Sequence, residues 1–191
     1  HKLINISSYI LNTPKGYCRE QKVALCLYGQ PRYLYKGHEY LSKFVLSKYK
    51  PDVFIHTWDV KGVYETSPWR PNTSKIYSVQ EVRDLYKPIK MVSEEPYQMT
   101  VPIDSPSYQG SPSEIQNNCH NILSQIHSRQ MVANLLESHP ENYDIVIVCR
   151  FDNLILSLPD KLDPSHIYFS DTHPGRPVFN DNLMIASQEN A

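Results

Sequence analysis

Arg150-Phe151-Asp152 closes the most apolar run of the chain, Tyr143-Asp144-Ile145-Val146-Ile147-Val148-Cys149. An arginine and a carboxylate at that place cannot stay unpaired inside a core, so a strand ending there must present both at its rim. Three further polar sets border apolar runs: Gly29-Gln30-Pro31-Arg32, His56-Thr57-Trp58-Asp59 and Asp181-Asn182. Guanidinium groups such as Arg32 and Arg150 suit a pyrophosphate, and a carboxylate of the Asp152 type suits a hard divalent cation. Trp58 or Tyr28 offers a face to a nucleobase, and Trp58 reads equally well as core packing. Arg150 and Asp152 also read as a structural ion pair at a sheet edge. Arg129 and Gln130 share the stripe of a long helix with apolar residues; they are either satisfied by neighbouring backbone or aimed into a polar site.

The elements that must hold these groups follow from the pattern. Val23-Ala24-Leu25-Cys26-Leu27-Tyr28 is a short apolar run ending at Gly29, which predicts a strand and a tight turn. A helix is expected from Tyr35 to Tyr49, with Leu41, Phe44, Val45 and Lys48 at helical spacing, and Pro51 ends it. Asp52-Val53-Phe54-Ile55-His56-Thr57-Trp58 reads as the second strand. A right-handed crossover would make the two strands parallel and bring Gly29-Gln30 and Thr57-Trp58 to one carboxyl edge.

Residues 60 to 77 read as a long loop, a candidate flap. Ser78 with Glu81 forms a capping box for a helix to Tyr86, and an edge strand is expected near Ile89 to Val92. After a proline-rich stretch from Pro96 to Pro112, Ser113 opens the longest helix, to about Ser138. Its apolar stripe is Ile115, Cys119, Ile122, Leu123, Ile126, Ala133 and Leu136. The uninterrupted β-branched run Ile145 to Val148 predicts a central strand covered on both faces. Leu154-Ile155-Leu156 reads as a short continuation, and His166 to Phe169 and Leu183 to Ala186 as further strands. Residues 1 to 21 read as an irregular lead-in, and 22 to 191 as one domain.

Nineteen Lys and Arg against 20 Asp and Glu leave a formal charge of -1, so no global field recruits nucleic acid or a membrane surface. No apolar run reaches the roughly 20 residues that span a bilayer, and no membrane span is expected. The four cysteines show no C-x-x-C spacing and read as reduced core or surface residues, while the eight histidines are too dispersed to suggest zinc. No G-x-G-x-x-G, P-loop or G-x-S-x-G motif is present.

Taken in order, Ala-Leu-Cys-Leu-Tyr-Gly-Gln-Pro-Arg, Pro-Asp-Val-Phe-Ile-His-Thr-Trp-Asp, a long helix, Tyr-Asp-Ile-Val-Ile-Val-Cys-Arg-Phe-Asp and Asn-Asp-Asn-Leu-Met-Ile-Ala-Ser form a set. Over residues 22 to 187 this set resembles the glycosyltransferase-like proteins of bacterial polysaccharide clusters and large DNA viruses. The resemblance implies an α/β three-layer sandwich with a mainly parallel central sheet, of the GT-A nucleotide-sugar type. It implies transfer of a sugar from a nucleoside-diphosphate sugar donor to a glycan or other hydroxyl acceptor, in the cytoplasm of a bacterium or of a virus-infected host.

In that family a carboxylate at the end of a central strand holds a divalent ion, Mn²⁺ or Mg²⁺, on the donor pyrophosphate. Asp152 takes that place here, but Arg150 stands where the first carboxylate of an Asp-x-Asp would be, so Arg150 is expected to share the charge neutralisation. By the same resemblance Gly29, Gln30 and Arg32 line the nucleotide pocket; Thr57 and Trp58 are expected there from their shared carboxyl edge, and Arg129 and Gln130 from the helix stripe, approaching from behind. Asp181 then lies near the sugar or acceptor, as a general base or as an orienting group. The alternative function is a non-catalytic nucleotide-sugar-binding module of a larger protein.

Overall fold

A computed structural model describes residues 21–60, 77–96, 111–170 and 180–191, with the side chains of Pro112, Ser170, Asn180 and Asp181 left aside. Most of the lead-in, the candidate flap and the proline-rich stretch after residue 96 lie outside the described residues. The order of elements is β1 (Val23–Gly29), α1 (Leu34–Leu41), a π-helical turn (Ser42–Leu46), α2 (Ser47–Tyr49), β2 (Asp52–Trp58), α3 (Val79–Tyr86), β3 (Lys90–Glu94), α4 (Pro112–Glu137), β4 (Ile145–Arg150), β5 (Tyr168–Ser170) and β6 (Asn180–Ala186).

The six strands form one sheet in the order β3-β2-β1-β4-β6-β5. β1 pairs in parallel with β2 and with β4, and β2 with β3. β6 runs antiparallel to both β4 and β5. The chain builds outward from β1 through β2 to β3, then returns to the other side of β1 with β4. That reversal is a switch point at the carboxyl ends of β1 and β4, the place where open α/β sheets generally bind ligands.

Strand alternation sorts the side chains into two cores. Leu25, Leu27, Val53, Ile55, Ile145, Ile147 and Cys149 face α1 and α3, packing on Leu34, Leu41, Val45, Val82 and Tyr86. Ala24, Cys26, Tyr28, Phe54 and Val146 face α4, packing on Val132 and Leu136. Helices thus cover both faces, giving the three-layer arrangement expected of strands buried on both sides. Cys26 and Cys149 are buried free thiols, and Cys119 is a half-buried one.

The first helix runs on through its π turn to Tyr49, so the expected segment holds, with Lys50 at φ 47 and Pro51 closing it. The Ser78–Glu81 capping box is formed. The long helix starts one residue earlier than expected, because Ser111 rather than Ser113 caps it: its side chain accepts from the Glu114 N–H.

The buried face of that helix also differs from its apolar stripe. Leu136 is buried as expected, but Ile122 and Ile126 are 49% and 56% exposed, and Ser128 and Val132, outside the stripe, are buried. A 26-residue helix spans about 39 Å and a seven-residue strand about 23 Å. Only the final turns can therefore lie over the sheet, and their i, i+4 row decides the burial. Leu154-Ile155-Leu156 does not continue the sheet: the chain turns at Phe151-Asp152, and Leu154 and Leu156 are exposed. The strand expected at residues 166 to 169 is confined to β5, while the last strand begins earlier, at Asn180.

Candidate functional site

The glycine bend at the end of β1 is the pivot. Gly29 has φ 94, a left-handed value that a side chain resists, although a Cβ there would meet nothing within 4 Å. The constraint is thus conformational rather than steric crowding. Three groups hold the bend. The Gly29 N–H donates to Ser128 Oγ at 2.8 Å from α4, and Thr57 Oγ1 donates to the Gly29 carbonyl at 3.1 Å from β2. The Arg32 N–H closes the turn on the Gln30 carbonyl at 2.8 Å.

β4 delivers the other wall. Register places Arg150 beside Tyr28, on the α4 side of the sheet. Phe151 is fully buried on the opposite side, edge-on to Tyr86 and beneath α1. Its burial anchors the turn that brings Asp152 back to Arg150. The two close a bidentate pair, Nε to Oδ1 at 2.9 Å and Nη2 to Oδ2 at 2.6 Å. Arg150 Nη1 also donates to Asn182 Oδ1 at 3.3 Å, and Asn153 Nδ2 donates to the Asn182 carbonyl. Asp181 precedes Asn182 on β6, so its backbone stands at the same edge.

Gly37 of α1 is what lets this turn sit so close. A Cβ there would lie 1.8 Å from the Phe151 carbonyl oxygen. Nothing in the periodicity of the helix singles it out.

The expected site residues divide as follows. Gly29, Gln30, Arg150, Asp152 and Asn182 meet at one edge of the sheet, formed by the carboxyl ends of β1 and β4 and the amino end of β6. Arg129 joins them, donating from Nη2 to the Tyr28 hydroxyl at 2.9 Å with its guanidinium over the Tyr28 ring. Arg32 is half-buried on the turn. Gln30 places its amide oxygen in a buried position with no hydrogen-bond partner among the described residues, an acceptor ready for an incoming donor.

Three more of the expected site residues are placed as follows. Gln130 faces solvent and, among the described residues, bonds along its own helix to Asn134, because it lies two residues on from the inward row at Ser128. Thr57 is fully buried and holds the bend from the α1 and α3 side. Trp58 is 5% exposed and stacks on His127 at 5.5 Å, so its indole packs within the fold.

Asp152 was expected to hold Mn²⁺ or Mg²⁺. Both its oxygens accept from Arg150, and among the described residues it belongs to no cluster of three potential ligands. A hard cation takes six or so oxygen ligands, so the arrangement is not a preformed site for one. What it offers an anion is a guanidinium already oriented by its carboxylate partner.

Sequence reasoning missed a second group. His56, Glu94 and His127 bring their ligand atoms within 4.8 Å of one another, on the α4 side of the β2 and β3 ends. Burial pushes the His56 imidazole pKa below its usual value, and the His127 contact holds the Glu94 carboxyl low. Ser128, which bonds both Gly29 and His56, was also missed, although it directly precedes Arg129.

No protein-family model, curated protein or solved structure gives a significant match to this chain. Among the described residues no helix is long and apolar enough to cross a membrane.

Proposed function

We propose that the chain is a glycosyltransferase of the GT-A type, binding a nucleoside-diphosphate sugar in the crevice between the ends of β1 and β4. The reading is supported above all by one juxtaposition: the Gly29-Gln30 bend and the Arg150–Asp152 pair lie side by side where the strand order reverses. In this reading the diphosphate lies against Arg150, with the Arg32 side chain completing its cradle. Gln30 Oε1 accepts from a base N–H or a sugar hydroxyl.

Transfer breaks the bond between the anomeric carbon and the diphosphate oxygen, which leaves with the electron pair, while the acceptor oxygen bonds to that carbon. The acceptor proton goes to a carboxylate, and Asp181 is assigned this role. Arg150 stabilises the charge that develops on the leaving group. A divalent ion arriving with the donor would have to take Asp152 from Arg150, and no step here depends on one.

The self-paired Asp152 also favours the second reading, a nucleotide-sugar-binding module without turnover. A thermal-shift screen of UDP- and GDP-sugars, with and without Mn²⁺, tests the binding claim, since a ligand specific to the folded state raises its melting temperature. A donor that stabilises the wild type and not Arg150→Ala supports the site. Slow hydrolysis of that donor, lost in Asp181→Asn, supports transfer; binding with no hydrolysis and no transfer to any acceptor supports the module. Equal stabilisation of wild type and Arg150→Ala removes this crevice from the account.

A further inference from the structure

We propose that His56, Glu94 and His127 form a binding site for one borderline transition-metal ion, Zn²⁺ in chemical character, beside the carboxyl ends of β2 and β3. Its geometry is independent of the sugar-nucleotide reading. His127 Nε2 lies 2.8 Å and His56 Nε2 3.5 Å from Glu94 Oε2. Ligands about 2.0–2.1 Å from a tetrahedral zinc stand about 3.3 Å apart, so the two separations bracket what the ion requires.

The second observation is His56 itself. Its side chain is 0% exposed, and Nε2 is a buried polar atom without a hydrogen-bond partner among the described residues. Glu94 is near enough to influence it by charge, but at 3.5 Å it does not satisfy it. A buried unsatisfied nitrogen calls for an explanation, and a bound cation is one.

The surroundings suit a metal-bound imidazole. His56 Nδ1 is 2.7 Å from Ser128 Oγ, which also accepts the Gly29 N–H. A hydroxyl oxygen has two lone pairs and can accept from both; in the metal-bound form proposed here Nδ1 carries the proton and Nε2 presents its lone pair to the ion. Outer partners of this kind fix the tautomer of a ligating histidine. Trp58 walls the cluster, edge-on to His56 at 5.2 Å and stacked on His127.

Two imidazole nitrogens with one carboxylate oxygen select zinc, cobalt or nickel over magnesium or calcium. Three protein ligands leave one position for water or a ligand oxygen. Glu94 and His127, 30% and 27% exposed, open that side to solvent.

The test uses the chain stripped with chelator, desalted, and titrated with Zn²⁺ by calorimetry and with Co²⁺ by visible absorption. One Zn²⁺ per chain is expected, with the strong visible bands of four-coordinate cobalt and no competition from excess Mg²⁺. Glu94→Gln and His127→Gln, both at partly exposed positions, should each weaken binding on the order of 100-fold, and Ser128→Ala by about 10–100-fold. His166→Gln, away from the cluster, should bind as the wild type does. X-ray absorption of the zinc-loaded wild type should show two imidazoles and no sulfur, a readout that needs no variant to fold. Absence of zinc binding, unchanged affinity in the Glu94→Gln/His127→Gln double variant, or sulfur in the first shell would overturn the proposal.

Discussion

Replacing Gly37 with alanine sets two well-known effects against each other, and the structure decides the sign. In an exposed helix the change gains roughly 1 kcal/mol, because glycine is the poorer helix former. Here the new Cβ would stand 1.8 Å from the Phe151 carbonyl oxygen, while ordinary contacts begin at 3.4 Å; the shortfall, 3.4 less 1.8, is about 1.6 Å. The obstacle is backbone, not the tip of a flexible side chain. It belongs to a turn pinned by buried Phe151 and by the Arg150–Asp152 pair, so neither side yields cheaply.

Overpacking of a tight contact costs about 1–3 kcal/mol, occasionally more. A shortfall of this size against backbone belongs at the upper end, which leaves a net loss of about 2 kcal/mol. For a chain of this length that lowers the melting temperature by roughly 4–8 °C. Urea unfolding of wild type and Gly37→Ala, fitted with a common slope, reads the difference directly. Because α1 must lift away from the turn, the variant should also lose the donor-induced thermal shift proposed for the crevice. A midpoint equal to or above that of the wild type would refute the packing of α1 on residues 151–152.

Other substitutions test separate parts of the account. Ser128→Ala, which strands the partly buried Gly29 N–H and the buried His56 Nδ1, should cost about 1–3 kcal/mol in urea unfolding; a neutral result would contradict the shared hydroxyl. Tyr86→Phe should be neutral or stabilising at pH 7, since the buried Tyr86 hydroxyl has no hydrogen-bond partner among the described residues, and a loss above about 1 kcal/mol would reveal a further partner. Burial raises the Tyr86 pKa above its ordinary value and that of Tyr49 to about 12. Their neutral forms favour the fold, so this stability is present below about pH 10 and is lost as pH rises through the folded values. Tyr86→Phe should therefore flatten the alkaline part of the stability curve, and an unchanged slope would remove that phenol from it. Gly29→Ala should cost about 1–2 kcal/mol for a side chain held at φ 94, and circular dichroism with urea would show whether the bend tolerates it.

The layers were legible where one local rule governs. β1, β2 and β4 are apolar runs stopped by polar residues, and the Ser78–Glu81 capping box marks its helix start unaided. The convergence of Gly29 with Arg150 followed from parallel strands sharing a carboxyl edge. What escaped depends on tertiary placement. Which face of α4 is buried depends on where a long helix lies over a short sheet, so a stripe that includes Ile122 and Ile126 misled, and Ser128 rather than Gln130 turned inward. Thr57 and Trp58 stand at the strand end as expected, but neighbouring residues claim their side chains. His56, Glu94 and His127 carry no metal-binding spacing; Glu94 and His127 are 33 residues apart. Only the adjacency of β2, β3 and α4 brings them together. Gly37 is important for what lies against it, which no helical pattern records.

The central claim, a sugar-nucleotide diphosphate held between the ends of β1 and β4, is tested most directly by following assigned backbone amide resonances while titrating the donor that stabilises the chain best. The account predicts saturable shifts concentrated at Gly29, Gln30 and Arg32 and at Arg150 to Asn153, abolished in Arg150→Ala. Saturable shifts clustered elsewhere, with these amides unmoved, would contradict it.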